Sequence, residues 1–199
     1  MKRYDSYTDT GIAWIGEIPS HWEVTKVKFR YSFITGFTPS TGNSSFYDSN
    51  GYNWVTISDL SNGALDDTQD KISDLYIKQY KPLMSPRGSL LYSFKLSVGS
   101  VALIEKDVYT NEAIASFLPN NRVNLNFLKY SSYLILQNAN INIYGAPIMN
   151  QELIKNALII FPPLVEQEAI ADYLDRKCAS IDGIIAIIIK IFRVFNWSR

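Results

Sequence analysis

The sequence predicts an α+β protein: a globular, twisted-sheet body followed by a long C-terminal coiled-coil-type helix. Strand-like runs lie at 52–57, 88–94 and 97–105, each ended by turn-forming residues. Helical patterns occupy 125–137 and 149–157, with Phe127, Leu128, Leu134 and Ile135 facing inward. Pro162 and Pro163 then stop the chain, because proline lacks an N–H and restricts the residue before it. Beyond them Leu174, Cys178, Ile181, Ile185, Ile188, Phe192 and Phe195 recur at alternating gaps of four and three, the seam of a helix lying along another helix. The division expected is a body over residues 1–163 and a spacer and dimerisation helix over 164–199.

Taken in order, residues 4–19 form a loop-rich opening, and 22–33 fit either a short helix or a strand. The stretch 35–51 is dense in Gly, Ser, Thr and Pro and is expected as turn material. A strand at 52–57 leads to an acidic loop at 63–70 and a short amphipathic helix at 72–80. The strands 88–94 and 97–105 flank a turn at Lys95. Residues 110–118 suit a strand or the start of a helix, and Leu158–Phe161 a last strand. There is no internal repeat, and no flexible linker separates the body from the final helix.

Composition narrows the function. Hydrophobic residues make up 47%, enough for a core and against disorder. Net charge is zero from 19 basic and 19 acidic residues, so bulk attraction to nucleic acid is not the design. A local patch or a partner's phosphate contacts remain compatible with it. Residues 1–10 carry no apolar signal core, and the longest apolar run, 184–189, is far below the roughly 18 residues of a membrane span. A soluble cytoplasmic protein without membrane attachment is the simplest reading.

Catalytic patterns are missing. His21 is the only histidine and Cys178 the only cysteine, which excludes a His/Cys zinc site, a Cys–His pair and an internal disulfide. Neither phosphate-binding glycine motif occurs. The segment Phe161-Pro162-Pro163-Leu164 lacks the polar leader and the aromatic of an amino-methyltransferase loop. Asp66, Asp67 and Asp70 lack EF-hand spacing and suit a solvated loop. No catalytic residue, metal site or cofactor is expected.

The remaining motifs resemble the specificity subunit of Type I restriction-modification enzymes. The resemblance begins with G-I-A-W-I-G-E-I-P-S-H-W-E-V at 11–24 and G-F-T-P-S at 36–40, followed by Trp54 and Asp59. It continues through Gly88-Ser89-Leu90-Leu91, Gly99-Ser100-Val101-Ala102, Thr110-Asn111-Glu112-Ala113 and Gly145. It closes on Pro162-Pro163-Leu164, Glu166-Gln167 and Ile170-Ala171-Asp172-Tyr173-Leu174-Asp175, extending to about residue 182. The resemblance implies a non-catalytic target-recognition domain reading one half of a split double-stranded DNA target. It also implies a helix that spaces it from a second reader and docks a methyltransferase (modification) subunit, with a restriction (translocase) subunit as an optional further partner.

Family members usually carry two readers and two helices, so this chain looks like a half-length form working as a homodimer on palindromic half-sites. A helix of about 30 residues is ~45 Å long, or roughly 13 base pairs. One departure stands out. Ile184, Ile187, Ile189, Ile191 and Val194 make the helix apolar all round after Asp182, which is expected of a truncated or frame-shifted end packed within an oligomer.

Base reading needs donors and acceptors, and phosphate contacts need cations or backbone N–H groups. The candidates are Ser40, Thr41, Asn43 and Ser44 in the polar loop, the cations Lys71, Lys78, Lys81, Arg87 and Lys95, and Tyr144 beside Gly145. The competing reading is an orphan half-subunit, a protein-interaction and assembly module that no longer reads DNA.

Overall fold

The computed structural model describes residues 4–62 and 65–196. The opening expected as loop contains an antiparallel pair, β1 (Tyr7–Asp9) and β2 (Glu17–Pro19). Three-residue strands are too short to display a period of two in sequence. β3 (Glu23–Lys26) runs directly into α1 (Val27–Arg30), so the ambiguous segment 22–33 is strand, then one helical turn, then β4 (Phe33–Thr35).

The expected turn at 35–51 is corrected more substantially, because β5 (Tyr47–Val55) starts inside it. Its polar residues Asp48, Ser49 and Asn50 form an irregularity: Tyr47 and Tyr52 both pair with Ile72. Gly51 makes that possible, since a Cβ there would lie 2.3 Å from Ile72 O. α2 (Ile57–Asn62) follows. Gly63 and Ala64 of the acidic loop lie outside the described residues. β6 (Lys71–Ile72) then leads to α3 (Asp74–Tyr80), whose first turn is capped by Ser73 Oγ accepting from Tyr76 N–H.

β7 (Leu90–Ser93) and β8 (Val101–Leu103) form the antiparallel hairpin predicted around Lys95. β9 (Tyr109–Thr110) and β10 (Ile114–Phe117) divide the 110–118 segment, which is strand and not helix. The expected single helix at 125–137 is two, α4 (Leu125–Ser131) and α5 (Tyr133–Leu136). Ser131 and Ser132 hydroxyls donate back to the Phe127 and Lys129 carbonyls, and such bonds compete with the helix ladder. A small hairpin, β11 (Asn140–Ile141) and β12 (Pro147–Ile148), precedes α6 (Gln151–Asn156), β13 (Leu158–Phe161) and α7 (Leu164–Asn196).

The main sheet is antiparallel in the order β4-β10-β7-β8, with β13-β3 as a separate pair. A smaller sheet, β6-β5-β9, includes the parallel pair β5–β9. The largest core holds Leu90, Tyr92 and Phe117 of the main sheet against Leu128, Ile135 and Ile154 of the helices. A second cluster gathers Phe46, Trp54, Ile72, Tyr76 and Tyr109 around the smaller sheet.

This register gives the main sheet two ends. Thr35 pairs with Ala115, Ile114 with Ser93, and Tyr92 with Val101, so Thr35, Lys95 and Glu112 belong to one end, here called distal. Phe33 pairs with Phe117, and Phe117 with Leu90, so Ser32, Arg87 and the loop after Phe117 belong to the other, proximal end.

Candidate nucleic-acid interface

The distal end carries a cleft of about 420 Å³, lined by Thr35, Phe94, Lys95, Glu112, Asn150, Gln151 and Glu152. The β7–β8 turn presents Lys95. Leu96 and Ser97 both adopt positive φ, 38° and 39°, which is strained for side-chain-bearing residues. Buried Ser93 pins this turn by donating its hydroxyl toward the Lys95 and Leu96 carbonyls. From the opposite wall, Gln151 at the start of α6 donates to Thr35 Oγ1 at 3.2 Å.

Glu112 closes the cleft and accepts from the Thr38 hydroxyl. That bond, with Lys95 nearby, holds the Glu112 carboxyl below the usual carboxylate range against the opposing effect of partial burial. Thr38 is placed by the loop before it. Phe37 N–H donates to Thr110 O at 2.9 Å, and Gly36 passes so close that a Cβ would lie 1.8 Å from the same oxygen. This explains a glycine at the head of the G-F-T-P-S turn.

The structure does not gather the sequence-predicted residues at one place. Lys95 lies in the distal cleft. Ser40, Thr41, Asn43 and Ser44 continue the exposed loop from Thr38, and Asn43 Oδ1 accepts from Ser45 N–H and its hydroxyl. The loop is tied to the start of α3 by the N-cap Ser73, whose Oγ donates to Ser45 O; Lys78 lies on that helix and Lys81 caps its other end. Tyr144 tips the β11–β12 hairpin at 87% exposure.

Two of the cations are already engaged: Lys71 pairs with Asp67 at 2.7 Å and Lys78 with Asp74 at 2.5 Å. Lys81, Arg87 and Lys95 have no ion pair among the described residues. Arg87 is not brought to the cleft, because it precedes β7 whereas Lys95 follows it. Sequence reasoning missed Thr35, Thr38, Glu112 and Gln151 as site residues. Their only signal was that Thr38 and Glu112 sit inside family-like motifs.

The helix is rooted at the proximal end. Glu166 accepts from Tyr4 Oη, His21 Nε2 and Trp22 Nε1 at 2.8, 2.6 and 2.9 Å. Burial opposes its charge, but the donors from Trp22, His21 and Tyr4 outweigh it and hold the carboxyl below its usual range. Gln167 is fully buried, accepting from Asn124 N–H and donating to Pro162 O. Two turns on, Asp175 accepts from Tyr130 Oη and Asn126 Nδ2, both at 2.5 Å, and faces Lys129.

Beyond Asp175 the body no longer covers the helix. Leu174 is half-buried, while Cys178, Ile181, Ile185, Ile188 and Phe192 are exposed, and so are Ile184, Ile187, Ile189 and Ile191 off the seam. Phe195, the last seam position, lies beyond the described side chains. Among the described residues no helix is long and apolar enough to cross a membrane, and no group of three or more His, Cys, Asp or Glu side chains is placed to hold a metal.

The chain is thus a sheet body with exposed polar loops at one end and a long helix anchored at the other. Residues 19–191 match the Type I restriction modification DNA specificity domain, and the chain belongs to that family. It is 25% identical over 203 residues to the MjaIX Type I restriction enzyme specificity subunit of Methanocaldococcus jannaschii, covering 92% of this chain and 45% of that protein. It is 28% identical over 115 residues to the HindI specificity subunit of Haemophilus influenzae, covering 57% of this chain and 25% of that protein. The fold is similar to the crystal structure of the HsdS subunit from Thermoanaerobacter tengcongensis, with a TM-score of 0.65 at 21% identity over 89% of this chain and 41% of that one. The chain thus spans less than half the length of these relatives. The family is one of specificity domains, not catalytic ones.

Proposed function

We propose that this chain reads one half of a bipartite DNA target for a Type I restriction-modification complex in the cytoplasm, with residues 1–163 as reader and 164–199 as spacer. The observation that carries the reading is the three-donor anchorage of Glu166, which fixes a long projecting helix to the body at the end opposite the distal cleft. A reader held on a rigid arm is what a split target requires. The helix has 33 residues, and at 1.5 Å each spans about 50 Å, roughly 15 base pairs of duplex.

In this reading Lys95, Lys81 and the 40–44 loop approach phosphates and bases, and Glu112 and Gln151 supply acceptor and donor groups for base edges. Two copies pair through the Ile181–Ile185–Ile188 seam, covering isoleucines that a lone chain exposes. The paired helices dock modification subunits. The test is co-expression with the modification subunit, followed by purification and footprinting at moderate salt. Co-purification with protection of one defined sequence supports the proposal. Co-purification without sequence-specific protection favours the assembly-module reading instead.

A further inference from the structure

At the proximal end a recess of about 520 Å³ opens between α1 and the loop joining β10 to α4. Its lining includes three cations, Lys28, Arg30 and Arg122, and no carboxylate. On a chain of zero net charge this is a local surplus of positive charge. Arg30 is paired with Glu23 outside the lining, Lys28 donates to Asn156, and Arg122 has no ion pair among the described residues.

Two lining side chains hold polar atoms with unmet demand. Arg30 Nε and the Tyr31 hydroxyl are buried without a hydrogen-bond partner among the described residues, and Tyr31 is only 4% exposed. Groups of this kind normally find partners. The floor is aromatic, with the Arg30 guanidinium 4.7 Å from the Phe161 ring centroid. Phe29, also in the lining, is 68% exposed.

We infer that this recess is a docking site for a glutamate-bearing segment of a protein partner. A carboxylate complements the three cations of the lining, while its hydrocarbon stem lies against Phe29 and Phe161. Exposed aromatic and arginine side chains around a recess are the anchors protein interfaces favour. A DNA backbone fits less well. Its phosphates bind cations spread over an open surface, not gathered in a recess, and the recess lies at the end of the sheet away from the distal loops.

The test uses the full chain and a fluorescein-labelled hexaglutamate peptide followed by anisotropy at low salt. The parent should bind the peptide. Lys28→Gln with Arg122→Gln should weaken binding about tenfold, and Arg122→Gln alone by about threefold. A charge-matched double change on the helix, Arg176→Gln with Lys177→Gln, should leave it unchanged. Circular dichroism checks that each variant is folded. Failure of the parent to bind, an equal loss in the helix variant, or a fall in duplex-DNA affinity matching the fall in peptide affinity would each overturn the inference. These arms do not depend on DNA being read at the distal end, so the two claims fail separately.

Discussion

Glu166 Oε1 lies 2.6 Å from His21 Nε2, joining the first turn of α7 to a residue 145 positions earlier. Trp22 and Tyr4 complete the contact, so the opening and exit motifs that carry the family resemblance meet in space. The carboxyl is held below its usual range. Its stabilising effect is therefore full above the unfolded value of about 4.3 and fades as pH falls through the lower folded value. Glu166→Gln should cost about 1 kcal/mol at neutral pH. Urea unfolding of both proteins at several pH values should show the gap closing under acid conditions, and a constant gap would contradict the assignment.

Gln167 lies beside it with no exposed surface, bridging Asn124 N–H and Pro162 O. Gln167→Leu keeps the volume but strands two buried backbone groups. The expected loss is about 2 kcal/mol or more, read as a lower urea midpoint with unchanged slope.

In the distal cleft, Lys95 and Glu112 should separate by readout. Lys95→Ala should weaken duplex binding across sequences and reduce the salt slope by about one. Glu112→Gln removes an acceptor-only group and should shift base preference with little change in that slope. A footprint series on variant targets tells the two apart.

On the helix, Ile181→Asp and Ile188→Asp would each bury an unpaired charge in a paired seam. Light scattering should report a monomer for either variant and a dimer for the parent. Equal masses would remove the seam as the contact.

How much of this was legible in the sequence varies with range. The β7–β8 hairpin, α6 and the proline stop before α7 were readable because local patterning decides them. The start of β5 is hidden in the sequence because Asp48, Ser49 and Asn50 bulge at polar positions, and only the distant Ile72 carbonyl explains Gly51. The apolar spacing over 125–137 crosses Ser132 unbroken, so the break between α4 and α5 has no signal in the pattern. Of the distal cleft, Lys95 was visible as a turn cation. Gln151 and Thr35 meet across 116 positions, and Thr38 and Glu112 across 74. No local signal announces such contacts.

Reading by a self-pairing half-subunit is decided by the methylome of cells carrying this chain with its modification subunit. Two self-paired copies should yield one bipartite motif with palindromic halves, set about one helical turn apart. Two unrelated half-sites, or no chain-dependent motif at all, would contradict it.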